Sequence, residues 1–144
     1  MVDLTPPPFA FIVVTDQYAG NFERQLCAYM TGCVGDCLVG QECAETHARD
    51  GLSPSQNVQN VPDEHGCARP ASIWSEDETR GSVAIWLNEE PDFAEMEQWV
   101  ARARVFGSNP VACGTDRWTP KFRIVSARLV AMQLDVETVA AVPV

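Results

Sequence analysis

The run Phe9–Thr15, with the sequence FAFIVVT, constrains the fold of this chain more than any other segment. It is continuously apolar, rich in β-branched residues, and preceded by a cluster of prolines. A strand with one face in water alternates apolar and polar residues, whereas a strand buried on both faces reads as an unbroken apolar run. We therefore predict a strand that lies in the centre of a sheet.

Further elements follow in a recognisable order. Apolar residues at helical spacing predict a first helix over about 21–31. The β-rich segments 71–74 and 82–87 predict two strands joined by a polar turn, and alternation over 122–137 predicts one long or bent final strand.

A second helix has the clearest start signal in the chain. Pro91 and Asp92 are followed by Glu95, which matches a capping box with Asp92 as the N-cap. Gly107 is typical of a helix end, and Arg102 and Arg104 suit the negative end of the helix dipole. The predicted apolar stripe of this helix consists of Phe93, Met96, Val100 and Ala103.

The order strand, helix, strand, strand, helix, strand predicts an α+β fold of the ferredoxin-like, βαββαβ type. Two helices would then cover one face of an antiparallel sheet. With 144 residues the chain is long enough for one core, so we expect a single domain over 1–144. Residues 32–69 lack periodicity and are interpreted as a long loop or insertion after the first helix.

The charge of the chain is unevenly distributed. The formal net charge is −10, and residues 1–99 carry 17 acidic against 4 basic side chains. A negative electrostatic field repels nucleic acid and attracts basic protein surfaces. A high net charge can equally have no role beyond keeping a protein soluble. We therefore expect no direct contact with nucleic acid.

A candidate interaction surface follows from this charge. The acidic residues are densest over 76–97, where Arg80 is the one basic residue. Trp118, beside Arg117 in a predicted loop, is a candidate aromatic anchor, while Trp74, Trp86 and Trp99 are expected in or near the core. The carboxylates of the predicted surface are Glu76, Asp77, Glu78, Glu89, Glu90, Asp92, Glu95 and Glu97.

Cysteine and histidine are concentrated in the predicted insertion. Cys43 and His47 would lie one turn apart if 41–49 is helical, close enough to bind one ion. Structural zinc would order such a loop, but the tight C-x2-C spacing of zinc ribbons is missing, and cysteines are also common small core residues. The candidate ligands are Cys33, Cys37, Cys43, His47, His65 and Cys67.

The turn after the first predicted strand is a candidate ligand site. It gathers Asp16, Tyr18, Asn21 and Arg24 where a strand ends and a helix begins. Backbone N–H groups at a helix start bind anions, so a nucleotide could bind there, with Arg24 on its phosphate. The same residues equally serve as helix caps and turn residues.

Several classes of function have no signature in the sequence. There is no phosphate-binding Walker loop, no dinucleotide-binding glycine motif, no deaminase motif and no recognised thiol nucleophile around Cys67 or Cys113. No apolar run reaches the length that a membrane helix needs, and the N-terminus does not have the pattern of a secretion signal. We expect a cytoplasmic, non-enzymatic protein with reduced cysteines.

Three segments carry a resemblance. Residues 18–32, 63–74 and 82–106, about a third of the chain, resemble small uncharacterised accessory proteins of bacteriophages and prophages. The resemblance implies a context rather than a chemistry, because no catalytic motif accompanies it. Small acidic phage proteins of this kind often bind and block a host protein, and others are virion components.

Three functions stay open at this point. The first is an acidic accessory protein that binds a host, phage or defence protein with a basic surface. The second is a binding or structural module ordered by zinc, and the third is a nucleotide-binding protein that uses the turn at 16–24. The sequence predicts no oligomeric state.

Overall fold

The computed structural model describes residues 7–16, 26, 30–31, 57–62, 68–70, 81–108, 111–113, 116–118, 121–132 and 136–144. The fold is α+β, as predicted, with one helix and a four-stranded antiparallel sheet among these residues. The elements in chain order are β1 (Phe9–Thr15), β2 (Asn60–Pro62), β3 (Ala68–Pro70), β4 (Gly81–Leu87), α1 (Phe93–Ser108), β5 (Val111–Cys113), β6 (Asp116–Trp118), β7 (Ile124–Ala131) and β8 (Glu137–Ala141).

The main sheet has the strand order β4-β1-β7-β8. β1 pairs along its whole length with β4 on one side and with β7 on the other, both antiparallel. Every residue from Ala10 to Thr15 is buried, so the prediction of a central strand buried on both faces is confirmed. Two short hairpins, β2 with β3 and β5 with β6, form separate two-stranded sheets.

The prediction of one long or bent final strand was wrong. The chain reverses after β7, and β8 returns antiparallel to it, with Arg128 opposite Ala141 and Ala131 opposite Glu137. Apolar and polar residues alternate over 132–137, from the end of β7 to the start of β8, so the pattern does not distinguish a bent strand from a hairpin. Only the pairing partner decides between them.

The ferredoxin-like arrangement with two helices is not confirmed. The strand predicted at 71–74 lies outside the described residues, and the fourth strand of the described sheet is β8. Leu26, Met30 and Thr31 are helical, but the rest of the predicted first helix also lies outside the described residues. Within the predicted insertion at 32–69, the described part contains β2 and the first two residues of β3.

The two faces of the main sheet carry separate apolar clusters. On one face Phe11, Val13 and Leu129 pack with the buried side of α1 and with Leu26 and Met30. The rings of Phe11 and Trp99 lie 5.4 Å apart at 53°, a tilted contact that contributes about 0.5–1.5 kcal/mol beyond area burial. The cluster on the other face contains Ala10, Ile12, Val14, Ala84 and Val130, with Trp86 and Met132 partly buried against it.

Helix α1 begins where the sequence predicts. The carbonyl oxygen of Asp92 accepts a hydrogen bond from the N–H of Met96 at 3.1 Å, which places Asp92 at the N-cap position. The helix continues through Gly107 to Ser108, so the prediction that Gly107 ends it was wrong. Gly107 instead packs against Phe122: a Cβ added there would lie 2.9 Å from the Phe122 carbonyl oxygen.

Two arginines of α1 bond to backbone far along the chain. Nη1 of Arg102 donates to the carbonyl oxygen of Met30 at 2.9 Å, and this contact is partly buried. Nη2 of Arg104 donates to the carbonyl oxygen of Pro143 in a longer, exposed bond of 3.4 Å. The helix is thereby connected to both the N-terminal part of the chain and its C-terminal end.

Candidate interaction surface

The turn between β4 and α1 and the first part of α1 present a dense group of acidic side chains. Residues 89–97 contain five carboxylates and no basic residue. Four of these side chains are exposed and Glu95 is partly exposed. We name this group the acidic surface; its members are Glu89, Glu90, Asp92, Glu95 and Glu97.

Asn57 holds the first part of this surface in place. Its side-chain Nδ2 donates to the carbonyl oxygen of Glu89 at 2.7 Å, and its Oδ1 accepts the Glu89 N–H at 2.8 Å. The Asn57 amide thus satisfies both backbone groups of one residue, as a neighbouring strand would do. In the other direction, the N–H and the side-chain Nδ2 of Asn88 both donate to the Asn57 carbonyl oxygen.

The residues after Asn57 continue this contact along the edge of β4. Val58 forms an isolated antiparallel bridge with Leu87, and the Gln59 N–H donates to the Trp86 carbonyl oxygen at 2.8 Å. Residues 57–59 therefore cover part of one edge of β4, and the other edge of β4 pairs with β1. No local sequence pattern predicts this contact, because Asn57 lies in a stretch without periodicity and its partner is 32 residues away.

An exposed aromatic ring adjoins the acidic surface. Phe93 is the first residue of α1 and is 48% exposed, although the sequence predicts it in the buried stripe. The prediction was wrong because the buried face is centred on Met96, Trp99 and Ala103, and Phe93 lies at the margin of that face. Phe93 and Glu97 are one helical turn apart and so are neighbours on the surface.

The other predicted members of the surface are placed only in part. Glu76, Asp77 and Glu78 lie outside the described residues. Trp118 is the last residue of β6 rather than a loop residue, and the structure does not describe its side chain. Trp99 is buried in the core and Trp86 is partly buried, as predicted, while Trp74 lies outside the described ranges.

At the predicted nucleotide site, the structure describes Asp16 alone. Oδ1 of Asp16 accepts the N–H of Arg123 at 2.9 Å, and the Asp16 N–H donates to the Arg123 carbonyl oxygen at 2.9 Å. Asp16 thus continues the pairing of β1 with β7 past a register shift at Thr15. Tyr18, Asn21 and Arg24 lie outside the described residues, so nucleotide binding there stays a prediction from sequence.

The zinc hypothesis also stays a prediction. In the part of the chain that the structure describes, no three His, Cys, Asp or Glu residues are grouped so that they could hold a metal ion. The candidate ligands themselves fall outside that part. They are Cys33, Cys37, Cys43, His47, His65 and Cys67.

The membrane-span criterion and the comparisons with known proteins bear on the class of protein. None of the helices in the described ranges is long and apolar enough to cross a membrane. The chain matches no protein-family model, and neither curated proteins nor solved structures gave a match. The resemblance to phage accessory proteins therefore receives no support from these comparisons.

Proposed function

We propose that this chain is a non-enzymatic binding protein whose acidic surface contacts a basic surface on another protein. The observation that carries the proposal is the combination of exposed carboxylates with the half-exposed ring of Phe93. Carboxylates increase the rate of encounter with a basic partner and select against acidic ones. A desolvated aromatic side chain at the centre of a contact supplies much of its free energy.

The way in which the surface is built supports this proposal. The acidic turn follows a strand of the main sheet and leads directly into α1, and Asn57 fixes its backbone by two hydrogen bonds. A turn held in one conformation loses little entropy when it binds, which favours affinity. The sequence resemblance suggests a host, phage or defence protein as the partner, in the host cytoplasm or on a virion.

The test is a pull-down from bacterial lysate at low salt with matched variants. The surface variant combines Glu89→Gln, Glu90→Gln and Glu97→Gln, and Phe93→Ser tests the ring separately. The control is Glu137→Gln on β8, because Asp16, which is also exposed, accepts a hydrogen bond from the backbone of Arg123. The Glu137 side chain is exposed and its strand lies at the opposite edge of the main sheet from β4.

We expect a partner that the wild type and the Glu137→Gln variant capture, and that the surface variant and Phe93→Ser lose. Capture should fall between low salt and 0.5 M salt, because exposed charges act over only about 10 Å at 0.1 M ionic strength. No captured protein at low salt, or equal capture by the surface variant, would contradict the proposal. Circular dichroism of each variant shows whether the fold is retained.

A further inference from the structure

The far end of the main sheet from the acidic surface can be located from strand pairing and helix packing. Leu87, the last residue of β4, precedes the acidic turn, whereas Thr15 at the other end of the sheet pairs with the first residues of β4 and β7. Helix α1 leads from the acidic turn back to that other end, because Gly107 packs against Phe122, two residues before β7. With 16 residues α1 is about 24 Å long, so the two ends are well separated.

Three exposed cations lie at this other end. Arg104 is about one turn before the last residue of α1, and Lys121 and Arg123 flank the phenylalanine against which the helix packs. The bond from Arg104 to the Pro143 carbonyl oxygen is to an uncharged group, so it does not neutralise the guanidinium. The described acid at this end is Asp16, whose Oδ1 accepts the N–H of Arg123. We name Arg104, Lys121 and Arg123 the basic end.

Exposed apolar side chains adjoin these cations. Val105 follows Arg104 on α1, and Val125 comes two residues after Arg123 on β7. Val144 follows Pro143, whose carbonyl oxygen bonds to Arg104. All three valines are exposed. The basic end therefore combines charge with apolar side chains, as the acidic surface does with Phe93.

We propose that the basic end binds the acidic surface of a second copy of the chain, so that copies associate head to tail. The inference rests on the proposed function in one respect, namely that the acidic surface is the part of the chain that binds basic groups. The two surfaces are opposite in charge, and complementary charge fixes which surfaces meet. They lie at opposite ends of α1 and so cannot meet within one molecule.

The two surfaces differ from each other, so the contact between them is heterologous. Each pair of copies keeps one unoccupied acidic surface and one unoccupied basic end, and further copies can add at both. Association therefore does not stop at a dimer unless the rotation between copies closes a ring.

Salt decides whether the net charge prevents this contact. Each copy carries a net charge of −10, and this charge opposes association. At 0.1 M salt, however, exposed charges act over only about 10 Å, less than half the length of α1, so the groups that face each other determine the sign of the interaction at contact. Exposed ion pairs contribute little each, so the association is weak, depends on concentration and is lost at 0.5 M salt.

The experiment is sedimentation equilibrium of the full chain from micromolar to near-millimolar concentration at 0.1 M salt. The basic-end variant combines Arg104→Gln, Lys121→Gln and Arg123→Gln, and it is compared with the surface variant defined above. We expect the average mass of the wild type to rise with concentration, and each variant alone to associate about tenfold more weakly. For the surface variant this loss runs against the change in net charge, which goes from −10 to −7 when three carboxylates are removed.

An equimolar mixture of the two variants is the second measurement. The surface variant keeps its basic end and the basic-end variant keeps its acidic surface, so the mixture should form a dimer with one copy of each and no larger species. Its dissociation constant should lie within about threefold of the wild-type value. A mixture that associates as weakly as the separate variants would overturn the proposal, as would a wild type that stays monomeric throughout or a surface variant that associates like the wild type.

Two further variants keep the test informative. Glu137→Gln on β8 changes one exposed charge away from both surfaces and should associate within about twofold of the wild type. Lys121→Gln with Arg123→Gln keeps the bond from Arg104 to Pro143 and replaces the basic-end variant if that variant does not fold.

The outcome also separates this inference from the proposed function. A chain that captures a basic protein through its acidic surface but stays monomeric overturns head-to-tail association alone. A chain that associates through the two surfaces but captures no other protein overturns only the proposed function.

Discussion

Replacing Gly107 with alanine should destabilise the protein, although alanine is the better helix former. Gly107 lies within α1, one residue before its end, and it is buried. On helix propensity alone, Gly107→Ala would stabilise the protein by about 1 kcal/mol. We expect the opposite sign because of what the new methyl group would meet.

The magnitude follows from the contacts of the added Cβ. It would lie 2.9 Å from both Cε2 and the carbonyl oxygen of Phe122, and 3.1 Å from Cδ2. The ring could move only by disturbing its contact with Phe106, whose centroid is 6.3 Å away, and the carbonyl oxygen belongs to the backbone. Overpacking of this kind costs about 1–3 kcal/mol, so the net loss is up to about 2 kcal/mol after the gain in propensity.

The assay is thermal and urea unfolding at micromolar concentration. A net loss of up to about 2 kcal/mol should lower the Tm by up to about 8 °C in a chain of this size. Gln98→Ala and Gln98→Gly provide the reference, because Gln98 is exposed on the same helix and their difference measures propensity without packing. If Gly107→Ala is stabilised as much as Gln98→Ala is relative to Gln98→Gly, the close packing against Phe122 is refuted.

Three more predictions concern the acidic turn, a strained residue and the cysteines. Asn57→Ala should cost about 1–2 kcal/mol and speed hydrogen exchange at the Glu89 amide, because two hydrogen bonds are lost; unchanged exchange there would contradict the role of Asn57. Lys121 has a φ of 56°, a region that glycine occupies without strain, so Lys121→Gly should stabilise by up to about 1 kcal/mol in urea unfolding and Lys121→Ala should not. Native mass spectrometry of chain purified without chelator should show one zinc that Cys37→Ser removes; a metal-free wild type would end the zinc hypothesis.

Local patterns predicted those elements whose signals lie within one short segment. The unbroken apolar run of β1 indicated burial on both faces, and the structure pairs it on both sides. The proline and aspartate before α1 indicated the first residue of the helix, because an N-cap is recognised from neighbouring residues alone. The acidic surface was likewise predictable from composition, but composition does not give the positions of its side chains.

The sequence by itself determined the α+β class, the central strand, the start of α1 and the acidic character of the turn before it. The tertiary structure alone decided that the chain reverses after β7, that Phe93 is exposed, that Gly107 makes room for Phe122, and that Asn57 holds the acidic turn. Each of these depends on a partner distant in sequence or on the position of an element relative to the sheet. Periodicity and capping signals depend only on residues that are close in sequence. Strand pairing, close packing and side-chain exposure depend on segments that folding brings together from distant parts of the chain.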